Sequence, residues 1–144
     1  MAAAVLDASL VALLGVVTVT DLRTRLIPDV ALVASLAVAL SVCLVSDPGD
    51  LPARLLAGMA AGAFLLAAAL IRPGGMGLGD VKLAGVLGIY LGTAVIEAVM
   101  IAFAAGSVAG LVLLARHGWE ARSRTIPFAP FLALGALVAM APQP

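Results

Sequence analysis

The chain has 144 residues, 64% hydrophobic and 11% charged, with a mean hydropathy of +1.23 and a formal net charge of zero. That composition excludes a soluble globular domain and reads as a polytopic protein held in a lipid bilayer. Eight basic residues scattered over several loops exclude nucleic acid as a partner, and the lone cysteine, Cys43, excludes an internal disulfide or a C-x-x-C metal site.

A spanning helix needs roughly 20 mostly apolar residues. The apolar runs 2–20, 30–45, 53–71, 81–96, 98–115 and 127–140 therefore predict an all-α polytopic membrane protein with six transmembrane helices and one domain, 1–144. The opening MAAAVLDASL lacks the positive segment of a secretory signal and reads as a retained first span. The second, fourth and sixth runs are short and must borrow flanking residues or sit in a locally thinned bilayer.

Charge sets the expected orientation. With the N-terminus outside, the inner loops hold Arg23, Arg25, Arg72, Lys82, Arg116, Arg122 and Arg124, and only Arg54 falls outside, as the positive-inside rule asks. Keeping Arg116 and Arg72 on one face requires two spans between residues 81 and 115, with a turn expected near Glu97. Asp47, Asp50 and Glu97 then lie outside, and Asp7 falls near an outer boundary.

Glycines recur at G-x-x-x-G spacing as Gly58 and Gly62, Gly88 and Gly92, and Gly106 and Gly110. Small faces let helix backbones approach closely, so these are expected to be internal packing seams, with a homodimer through the same faces as the alternative. His117 and Trp119 sit in the basic loop RHGWEARSR, where a tryptophan serves as an interfacial anchor and a lone histidine makes no metal site.

Two acids stand apart from this pattern. Asp21 closes the first span in DLRTRLIP, and Asp80 opens the fourth in GLGDVKL, so the six-span scheme brings both to the inner membrane face at one depth. An ionisable group in such a place is expensive and marks a functional site with a partner to be named. Two carboxyl groups at one site hold one proton between them, which makes an acid and a base together. The base takes a proton from water as it attacks a peptide carbonyl, and the acid protonates the carbonyl oxygen and then the leaving amine. The helix dipoles would make Asp80 the base and Asp21 the proton holder, but Arg23 and Arg25 act against that assignment. Plainer readings are an N-cap for Asp80 and an ion pair with Arg25 for Asp21. Gly74, Gly75, Gly77 and Gly79 are expected to allow positive φ and close approach of an extended chain beside Asp80.

D-L-R-x-x-x-I-P after a first span, G-L-G-D-V-K-L at a later one, and the closing I-P-F-A-P-F-L-A-L-G (126–135) together resemble the type IV prepilin peptidases and archaeal preflagellin peptidases, membrane aspartic peptidases with a G-x-G-D signature. Ala129 replaces a glycine usual in the last phrase. The resemblance implies catalytic aspartates at Asp21 and Asp80, with Gly77, Gly79 and Lys82 as motif support, and no metal or other cofactor. It implies a prepilin-like substrate whose basic leader is cut at the cytoplasmic face of the plasma membrane. Longer members carry paired C-x-x-C motifs associated with N-methylation; with one cysteine, this chain resembles the short forms that act as peptidases alone, including those serving tight-adherence pili. The alternative reading is a small proton-coupled transporter or channel subunit with the acids as a proton relay. No internal repeat supports it.

Overall fold

A computed structural model describes residues 1–123 and 126–141. Six α-helices account for most of that chain: α1 (Ala2–Thr24), α2 (Asp29–Ser46), α3 (Leu51–Ile71), α4 (Leu78–Leu91), α5 (Val95–His117) and α6 (Ala129–Met140). Short 3-10 turns follow α4 at Gly92–Ala94 and α5 at Gly118–Ser123. The protein is all-helical. α1, α2, α3 and the apolar stretch Leu78–Glu120 are each long and apolar enough to cross a membrane, as a polytopic membrane protein requires.

Local sequence explains where the helices start and stop. Arg25 ends α1 in the left-handed conformation at φ 55°, and Pro28 precedes the first turn of α2. Prolines also stand in the first turns of α3 and α6, where a missing N–H costs nothing. The break between the fourth and fifth helices lies at Gly92–Ala94, earlier than the expected turn near Glu97. Gly92 reaches φ 59° and so can end α4 sharply, whereas Glu97 sits in the first turn of α5, a position a carboxylate tolerates.

The short α4 is the centre of the bundle. Eight of its 14 residues are buried, against three of 18 in α2, and it packs on α3, α2, α6 and α5. Glycine makes the closest of these contacts possible: a methyl on Gly88 would collide with the backbone of Gly58 and Ala57 in α3. The α5–α6 pair uses the same device, since a methyl on Gly135 would strike the carbonyl of Ala98. Not every G-x-x-x-G member is a seam. Gly92 forms the turn, and Gly110 has open space beside it. Cys43 is a buried packing residue of α2.

Polar side chains stitch the half of the bundle away from Asp21 and Asp80. Arg54 on α3 donates from Nη1 to the carbonyl oxygens of Tyr90 (2.6 Å) and Ile89 (3.3 Å), and from Nε to Asp50 Oδ2 (2.8 Å). It thereby caps the C-terminal end of α4, whose last carbonyls have no partner within the helix. Deeper in, the Tyr90 hydroxyl donates to the Ser35 carbonyl oxygen of α2 (2.9 Å) and lies 3.1 Å from the Ser9 hydroxyl of α1.

Candidate active site

Asp21 lies in the last turn of α1 and Asp80 in the first turn of α4, and the antiparallel packing brings both to one end of the bundle. They are the two buried charged residues among those described, at 6% and 8% exposure. The carboxylates are close enough to interact electrostatically. Asp21 Oδ2 and Asp80 Oδ1 are each buried without a hydrogen-bond partner among the described residues. Buried polar atoms are nearly always satisfied, so two open carboxylate oxygens in one place call for a functional explanation.

Neither plain alternative describes these side chains. Gly77, not Asp80, is the N-cap of α4, and Asp80 stands three residues further on, in the first turn. Arg25 acts on Asp21 electrostatically, yet no ion pair joins them among the described residues. The neighbours of the pair are backbone groups instead. The N–H of Gly77 lies against the Asp80 carboxyl group, and that of Ala129, at the start of α6, lies against the Asp21 carboxyl group.

Three other residues expected from sequence take distinct places around the pair. Gly79 is a packing position: a methyl there would press on the Ile27 side chain at 3.1–3.3 Å, so glycine lets the chain following α1 settle on the start of α4. Gly77 is extended at φ −78° and ψ 147°, a conformation open to any residue, and a methyl on it would stand 3.6 Å from Asp80 Oδ2. Lys82 faces away and pairs with Asp29 of α2, Nζ to Oδ1 2.9 Å, with both side chains exposed. Of the four glycines in 74–79, only Gly74 has positive φ, at 80°, so the expected conformational freedom belongs to one position and close approach explains Gly79.

Ala129, Ile27 and Asp29 escaped the sequence reading as neighbours of the site. Their signals were present: the two I-P phrases, 27–28 and 126–127, lie beside helix starts that converge at this end. A proline next to a helix start shows where the helix begins but not which neighbour it meets. Arg124 lies outside the described residues, as does the side chain of Arg122.

Comparison with known proteins bears on this arrangement. The family model described as "Type IV leader peptidase family" matches residues 8–115, a stretch that includes both aspartates. A Bacillus subtilis (strain 168) protein named prepilin leader peptidase/N-methyltransferase is 35% identical over 134 residues, covering 90% of this chain and 52% of that one. A protein of the same name from Burkholderia pseudomallei (strain 1026b) is 36% identical over 124 residues, covering 80% of this chain and 39% of that one. The chain thus spans about half or less of the length of these relatives. No solved structure matches it.

Proposed function

The chain belongs to the type IV leader peptidase family, and we propose from that premise that Asp21 and Asp80 form an aspartic dyad that removes the leader from a prepilin-like protein. The observation that carries this reading is two buried carboxylates on separate helices at one end of the bundle, close enough to interact electrostatically, each with an oxygen that has no hydrogen-bond partner among the described residues. One proton shared by such a pair supplies both catalytic roles. The deprotonated group draws a proton from water as the oxygen attacks the scissile carbonyl carbon. The protonated group donates to the carbonyl oxygen, and the proton held after attack passes to the amine nitrogen as the C–N bond breaks.

The loop 72–77 is where an extended substrate would approach. Gly75 N–H bonds back to Arg72, but the backbone N–H groups of Gly74 and Met76 make no backbone hydrogen bond among the described residues, so they are open to a peptide. These residues are assigned the peptidase step alone, because their single cysteine supplies no paired C-x-x-C motif. We place the dyad at the cytoplasmic face of the plasma membrane with the N-terminus outside, since that keeps seven of eight basic residues inside.

The test is cleavage of a co-expressed prepilin with a basic leader. Wild type should shorten it, while Asp21→Asn and Asp80→Asn should each leave it uncut at normal membrane levels of the variant. Full processing by either variant would remove the dyad. Reporters fused after Arg25 and after Arg72 should both read cytoplasmic and one after Asp50 external; opposite readings for the first two would separate the aspartates across the membrane. Chelators should leave cleavage unchanged.

A further inference from the structure

α3 packs mainly on α4 and α5 mainly on α6, which leaves a furrow where α3 and α5 face one another. Two cavities lie along it. One, of about 580 Å³, opens at the dyad end between Arg72, Gly74, Met76, Phe103, Ser107 and Phe128. The other, of about 620 Å³, runs through the far half between Ala57, Ala60, Phe64, Ile96 and Met100. Phe64 of the second cavity and Phe103 of the first meet edge to face, with centroids 6.0 Å apart at 81°.

We propose that this α3–α5 furrow is the docking groove for an apolar helix that follows the scissile bond in the substrate, and that Arg72 at its mouth selects an anionic group at the start of that helix; the proposal rests on the peptidase reading above. Three features choose this occupant. The furrow follows α3 from Ala53 to Arg72, about 28 Å at ~1.5 Å per residue, which matches the roughly 30 Å apolar core that a substrate helix must cross. Its upper end lies close to the dyad along the chain. Residues 72–76 line the cavity and lead through Gly77 into the first turn of α4 that carries Asp80, while Phe128 lines it next to Ala129, the neighbour of Asp21. A helix seated here therefore delivers the segment before it to the two carboxylates.

Charge completes the argument. Arg72 is exposed and has no ion-pair partner among the described residues, whereas Arg54 and Lys82 each have one. A guanidinium at the edge of an apolar groove favours an anionic group at that level of the occupant and disfavours a cation. The basic leader, on the other side of the scissile bond, is thereby kept out of the groove, so charge also sets the direction in which the substrate lies.

The test uses two substrates: a full prepilin in membranes, and a soluble peptide carrying the leader and scissile bond without the apolar helix. Ala60→Trp fills the far cavity. It should slow cleavage of the full prepilin about tenfold or more through KM, equivalent to ~1.4 kcal/mol of lost binding, and leave the soluble peptide unaffected. With a full prepilin given a glutamate at the start of its apolar helix, Arg72→Glu should slow cleavage in the same way and be rescued when that glutamate is changed to lysine. Independently of cleavage, Met100→Cys in a Cys43→Ala background should cross-link to single cysteines along one face of the substrate helix. Unchanged processing by Ala60→Trp, or cross-links only to a second copy of this chain, would overturn the groove. If wild type cuts neither substrate, the peptidase reading fails and the groove with it. Wild-type cleavage with an unaffected tryptophan variant defeats the groove alone.

Discussion

The two ends of α4 treat charge in opposite ways. At the C-terminal end Arg54 answers two otherwise unpaired carbonyls and is itself held by Asp50, so these two charges have each other as partner. At the N-terminal end Asp80 feels the charge of Asp21, and one oxygen of each is buried without a hydrogen-bond partner among the described residues. One helix thus carries a satisfied end and an end with an unsatisfied carboxylate, which the proposed function makes the reactive one. A buried carboxylate without an ion-pair partner costs folding free energy whatever its role, so stability and activity should separate along α4.

The largest effect belongs to the unsatisfied end. Asp21→Asn and Asp80→Asn should each lower cleavage by about 100-fold or more, the usual scale for losing a general acid or base, while thermal unfolding in detergent shows no loss of stability. A drop in melting temperature alongside the lost activity would mean that the acids hold the fold, and the contrast between the two ends would collapse.

Arg54→Ala should do the reverse. It leaves the Tyr90 and Ile89 carbonyls and the Asp50 carboxylate without their donor, a loss of about 1–3 kcal/mol, visible as earlier thermal unfolding with cleavage per folded molecule kept. Tyr90→Phe should act in the same sense and more weakly, by about 0.5–1.5 kcal/mol, because it removes the donor to Ser35 but keeps the ring. Should either variant lose cleavage without losing stability, the far end would belong to the catalytic machinery.

The smallest effect is expected at the exposed Asp29–Lys82 pair, which sits at the dyad end yet outside the dyad. A double-mutant cycle should give about 0.2–1 kcal/mol, shrinking as salt is added. A larger, salt-insensitive coupling would show that this pair helps to position α4.

Much of this protein is legible without coordinates. Composition and run length alone demand a helical membrane protein, because a backbone in lipid must satisfy its hydrogen bonds internally. The two aspartates were visible for a related reason: carboxylates bordering apolar runs are costly, so their presence points to use. Local signals were less secure. Glu97 read as a break because it is charged, but backbone conformation decides where a helix ends, and Gly92 alone there reaches positive φ. In the same way, G-x-x-x-G spacing identified Gly58 and Gly88 as members of seams and could not say that they would face each other across α3 and α4 while Gly92 turned the chain.

The residues of each segment dictate what that segment can do alone: span, turn, or carry an acid at its edge. Which segments meet is a matter of how the helices pack. The short α4 became the buried centre, Ile27 settled on Gly79, the start of α6 came to Asp21, and a furrow was left between α3 and α5. The physical reason is that helix propensity and hydropathy act within a segment, whereas packing of small faces and satisfaction of polar groups act between segments far apart in the chain.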